Sequence, residues 1–183
     1  MMDLWQLPEE AVLDGKVYPH HTDYRQMLKI LAVLESPQRP PLLRWFVALE
    51  LFYRKPIPRE AEGAAMAYLK GFLSYGQADK PGVKLLDWKV DADAIIADVN
   101  AVAGGDIRQK TQLHWWSFLS LFHGITQGQL STRVAIRRKM AEGKPLEEWE
   151  REYCRQNPGK VKLRTPETAQ EEAHRKKLEA MLG

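Results

Sequence analysis

Cysteine occurs once in the 183 residues, at Cys154, which excludes an internal disulfide and fits a reducing compartment. No apolar run approaches the roughly 20 residues that a membrane span needs. The opening residues, Met1-Met2-Asp3-Leu4-Trp5-Gln6-Leu7-Pro8-Glu9-Glu10, are acidic and carry no basic stretch followed by an apolar one, so no signal peptide is expected. A large excess of charge is also missing. The net value is +3, too near balance to predict nucleic-acid binding. What excess there is gathers from Arg133 onward.

Signatures of chemistry are equally scarce. The chain has no Gly-x-Ser-x-Gly, no Gly-x4-Gly-Lys-Ser/Thr and no Gly-x-Gly-x-x-Gly after a strand. His114 and His123 fall half a helical turn out of phase, and none of the 5 histidines sits at metal-ligand spacing with a carboxylate. Arg155 beside Cys154 is the kind of neighbour that lowers a thiol pKa, yet a lone helical cysteine is more often inert. Asp91 and Asp93 read as a helix cap and a first-turn acid complementing the helix dipole, not as a general acid and base. No enzyme activity, cofactor or metal is expected.

What is present is helical periodicity. Asp14-Gly15 between Val12-Leu13 and Val17-Tyr18 predicts a two-residue hairpin over about 12–18. The period then changes from two to 3.6. A first helix runs from Asp23 to Glu35, with Tyr24, Met27, Leu28, Leu31 and Leu34 on its apolar stripe. A second carries Leu42, Trp45, Phe46, Leu49, Phe52 and Tyr53 and reads as a core helix. A third starts near Pro58 with Ala61, Ala64, Ala65, Tyr68, Phe72 and Tyr75 and ends at Gly76. Residues 77–89 read as the longest and most mobile loop. Asp91 opens a helix that Gly104-Gly105 closes, and further helices are expected over Asp106–His123, Ser131–Ala141 and from Pro145 to Asn157-Pro158-Gly159. Thr165-Pro166-Glu167 opens a last charged helix to Leu182, marginal by itself. The class is all-α: a compact multi-helix domain over 1–163 with a small N-terminal β-hairpin, and a projecting helical tail over 164–183.

Two stretches are candidates for recognition. In Leu113-His114-Trp115-Trp116-Ser117-Phe118 the helix is apolar around much of its circumference, which suits a central core helix or an aromatic face for a partner. Arg133, Arg137, Arg138 and Lys139, with Arg151 and Arg155, form the densest basic cluster, suited to a solvated salt-bridged surface, an acidic protein or phosphate. The partner-binding residues read from these stretches are Trp116, His114, Arg133, Arg137 and Arg138.

Taken together, Asp14-Gly15-Lys16-x-Tyr18, Thr22-Asp23-Tyr24-Arg25, Asp91-x-Asp93-x-Ile95-Ile96, Asp106-Ile107, His114-Trp115-Trp116-x-Phe118 and Ile136-Arg137 resemble the bacteriophage Gp15 protein family of long-tailed phages and prophages. The resemblance runs from about Val12 to Leu163 and is most specific at Leu113–Trp116. It departs at His20-His21, where relatives tend to have an apolar-polar pair, and at Arg108, where an apolar residue is commoner. The resemblance implies a phage tail morphogenesis protein without catalytic residues, encoded between the tail tube and the tape measure, in the position of a tail assembly chaperone. Its implied partners are the tape-measure protein, the tail-tube protein and further copies of itself, with no nucleic acid and no membrane. Its implied place is the host cytoplasm and not the mature virion. The alternatives are a small phage-encoded DNA-binding or regulatory protein using the basic cluster, and a minor structural component of the tail.

Overall fold

The computed structural model describes residues 3, 5–76 and 83–163, which fall into two compact units, the first ending before residue 79 and the second following it. The tail helix expected over 165–182 and part of the loop expected over 77–89 lie outside the described residues. The fold class is mostly helical with one two-stranded sheet, as the periodicity implies.

In the first unit β1 (Glu10–Leu13) pairs antiparallel with β2 (Lys16–Pro19). Asp14 and Gly15 both adopt positive φ, 48° and 77°, the backbone that a tight hairpin turn requires and that Asp-Gly accepts most readily. Ala11 and Leu13 point inward while Val12 faces solvent. After the hairpin, α1 (Tyr24–Leu34) starts where the Asp23 carboxylate accepts the Arg25 amide at 2.9 Å. Its fully buried residues are Tyr24, Met27 and Ile30; Leu28, Leu31 and Leu34 are only half-buried, so the inward stripe is rotated from the expected one.

Next, α2 (Pro41–Phe52) packs on α1. It is a core helix only in its last turns, where Ala48, Leu49 and Phe52 are buried. Leu42 is 86% exposed and Phe46 59%, because this helix is apolar nearly all round and only one end is covered. A 3-10 turn over Arg59–Ala61 precedes α3 (Glu62–Leu73), which therefore begins later than Pro58. Ala65, Leu69 and Phe72 form its buried stripe. His20 ties the elements together. Its ring stacks on Phe52 with centroids 4.4 Å apart, its Nδ1 lies 3.0 Å from the His21 carbonyl, and its Nε2 lies 3.2 Å from the Tyr68 hydroxyl. The Tyr68 hydroxyl donates to the Glu10 carbonyl at 2.9 Å, and burial pushes its pKa up to about 12.

The second unit starts with an irregular segment that holds Trp88 against Trp115 and Phe122, at centroid distances of 5.9 and 5.3 Å. Then α4 (Ala92–Ala103) ends at Gly104, whose φ of 67° supplies the left-handed residue of a helix stop. The single helix expected over Asp106–His123 is broken. Asp106 caps a 3-10 turn at Ile107–Gln109, and α5 (Trp115–His123) starts afresh with the His114 Nδ1 accepting the Trp116 amide at 3.1 Å. Two local caps in succession give the backbone amides partners that a continuous helix would compete for.

Gly128 precedes α6 (Gln129–Ala141), which starts two residues before the expected Ser131. Pro145 lies outside the next helix, α7 (Glu148–Gln156), because a reciprocal capping box of Glu147 and Glu150 sets its start. Asn157-Pro158-Gly159 ends α7 as expected, with Asn157 at its C-cap, and Pro158 then opens a short α8 (Pro158–Val161). Packing pairs α4 with α5 and α6, and α8 with α6 and α7.

Candidate functional site

Four of the five side chains read as partner-binding are internal to the second unit. Trp116 is 1% exposed, and Trp115 beside it is buried equally, so α5 is a central helix on both faces. Trp115 stacks on Phe118 at 5.4 Å. His114 is buried and serves as the cap of α5.

Arg133 and Arg137 project inward from α6, one turn apart. Arg137 binds Asp91 through both ends of its guanidinium, Nη1 to Oδ2 at 2.7 Å and Nη2 to Oδ1 at 2.8 Å, and also donates to the carbonyls of Leu85 and Lys160. Arg133 binds both Asp93 oxygens at 2.9 Å and donates from Nε to the Tyr153 hydroxyl at 3.2 Å. Lys160 adds a bond to Asp93 at 2.9 Å. Asp91, Arg133 and Arg137 are all buried. The hydrogen bonds of Arg133 first, and those of Lys160 after them, hold the Asp93 carboxyl well below the usual range, while Asp93 raises Arg133 in return.

The basic cluster is therefore no continuous surface. Asp91 occupies the cap position of α4 without capping it, since its carboxylate is turned to the arginines and to the Asp87 amide at 3.0 Å. Asp93, read as a dipole-complementing acid, is the bidentate acceptor of Arg133. Of the same cluster Lys139 binds Glu150 at 2.7 Å, and Arg138 alone among the five candidates is exposed.

Arg138 borders a groove of about 380 Å³ between the end of α5 and the outer face of α6. Phe122, Ile125, Leu130, Val134 and Ala135 give it apolar walls, and His123, Ser131 and Arg138 are its polar lining. Leu130 and Val134 are four residues apart and Arg138 four further on, so one stripe of α6 runs from apolar to cationic. The start of this stripe is fixed from another helix. Asp98, on α4, accepts the Leu130 amide at 2.8 Å and the Gln129 amide at 3.3 Å, capping α6 from about 30 positions away in sequence. Sequence reading missed Asp98 and the groove. The spacing of Leu130 and Val134 was a signal for the groove, whereas nothing local marks Asp98.

Burial first, and the charge of Glu150 second, push the Cys154 thiol up from its ordinary value, so Arg155 does not activate it. No group of three or more His, Cys, Asp or Glu suited to a metal ion occurs among the described residues. No helix among them is long and apolar enough to cross a membrane.

A model of the family described as bacteriophage Gp15 protein matches residues 5–163. No curated protein and no solved structure matches the chain.

Proposed function

The chain belongs to the bacteriophage Gp15 protein family, and from that premise we propose that it is a tail morphogenesis protein acting as a tail assembly chaperone, with the tape-measure protein as its partner. The observation that favours a protein partner over DNA is the inward direction of Arg133 and Arg137. Phosphate recognition needs cations on the surface, and these two buried guanidiniums are committed to the buried Asp91 and to the half-exposed Asp93. Holding a long helical partner and later releasing it needs no chemistry, only an apolar floor with a charged rim. On this reading the protein works in the host cytoplasm, meets the tail-tube protein and other copies of itself during assembly, and leaves before the virion matures.

The test is co-expression of the full chain with the tape-measure protein of the same phage or prophage, followed by pull-down through a tag on the chain. Retention of the tape-measure protein at moderate salt is expected. A tape-measure protein that stays in solution alone and is not retained would refute the proposal. Binding to DNA that falls steeply between about 50 and 200 mM salt would favour the regulatory alternative, and stoichiometric protein in purified virions the structural one.

A further inference from the structure

We propose that the groove between α5 and α6 seats one short amphipathic helix whose apolar side chains, a turn apart, are flanked by carboxylates. This specifies the surface and the partner chemistry for the chaperone reading, and it rests on that reading only for the identity of the protein that carries the helix.

Three features of the groove select this occupant. Its walls are aliphatic and aromatic, and the stretch of α6 that lines it, Leu130 to Arg138, is roughly 12 Å long at 1.5 Å per residue, matching about two turns of a partner helix laid alongside. Leu130 is buried and Val134 half-buried, so the floor is shallow and takes side chains from above.

The third feature is charge. Among the eight lining residues two are basic, Arg138 and His123, and none is acidic. The carboxylate of Glu142 at the end of the same helix is bound first by Lys144 at 2.7 Å, and the charge of Arg138 acts on it least. Lys139, next to Arg138, is taken by Glu150 and Glu147 and does not serve the groove. The rim therefore presents an exposed guanidinium to an incoming ligand, and its complement is a carboxylate. A second copy docked groove to groove would bring a lining with two basic residues and no acidic one against its own like, which leaves Arg138 without a carboxylate and disfavours self-association there.

The test uses the full chain and two fluorescein-labelled, alanine-based helical peptides of about 14 residues with leucines three and four apart, one flanked by glutamates and the other by lysines. Anisotropy titration should show saturable binding of the acidic peptide and at least about tenfold weaker binding of the basic one, because like charges would then meet at Arg138. Arg138→Glu should invert that preference, and Ala135→Trp, which fills the groove from an exposed position, should abolish binding of the acidic peptide. Circular dichroism melts check that both variants fold. Equal binding of the two peptides, no saturable binding, or binding indifferent to both substitutions would overturn the proposal. So would a dimer of the wild-type chain that Ala135→Trp dissociates, which would give the groove to a second copy. Retention of the tape-measure protein by Ala135→Trp as well as by wild type would overturn the groove as that protein's docking site and leave the chaperone reading standing. Acidic-peptide binding that obeys both substitutions, with no tape-measure protein retained by any form, would sustain the groove and sink that reading.

Discussion

Arg137 and Asp91, 46 positions apart in sequence, meet as a buried bidentate pair with two bonds of 2.7 and 2.8 Å. The pair closes the second unit across its ends, joining the start of α4 to the middle of α6. A desolvated ion pair contributes little against a well-packed apolar pair, yet removing one partner strands the other charge. Asp91→Ala leaves Arg137 with carbonyl acceptors only, and it should destabilise the unit by about 3–5 kcal/mol. Urea denaturation reads this directly. A loss under about 1 kcal/mol would show that solvent reaches the guanidinium in the folded chain.

Trp115 and Trp116 are each 1% exposed, although they lie about 100° apart around α5. Trp115→Ala and Trp116→Ala should therefore cost similar amounts, about 3–5 kcal/mol each, as cavities in a packed interior. Thermal or urea unfolding checks the pair side by side. A Trp116 variant of wild-type stability would restore the surface role that its sequence context left open.

Local signals in the sequence carried the elements well. Asp14-Gly15 fixed the hairpin turn, Asp23 the start of α1 and Gly104 the end of α4, because each acts on backbone within a residue or two of itself. Helix burial was less legible. The face of α2 that stays exposed at Leu42 and Phe46 depends on what the other helices cover, and a pattern apolar all round does not say. The basic cluster misled for the same reason. Arg133 and Arg137 look like surface cations until the fold brings Asp91 and Asp93 to them from 40 or more residues away.

The cap of α6 makes a sharper test of non-local design. Gly128 sits at φ 145° and ψ −168°, a region essentially restricted to glycine, and a Cβ there would lie 2.5 Å from the Asp98 carboxylate. Asp98→Ala should cost about 0.5–2 kcal/mol as a lost cap. Gly128→Ala should cost more, since it strains the backbone and also evicts the cap. In the Asp98→Ala background the glycine substitution should become cheaper, because the clash is gone and only the strain remains. Strict additivity in the double-mutant cycle would show that the carboxylate does not pack against Gly128.

Acid should act on this unit through Asp93. Its folded carboxyl titrates below the ordinary value of 3.8, chiefly because of Arg133, whereas the unfolded chain takes up its proton near that ordinary value. A depressed folded pKa gives stability that is complete above about pH 4 and is lost as the pH falls through the folded value. The side chain is 53% exposed, so solvent screening keeps the effect modest. Asp93→Asn keeps the shape and removes the titration. Denaturation midpoints measured at pH 7, 4 and 2.5 should therefore show the wild type ahead of Asp93→Asn at neutral pH, with the gap closing on acidification. A gap that stays constant across the series would mean that Arg133 gains nothing from the charge of Asp93, and that the bidentate contact holds by shape and hydrogen bonding alone.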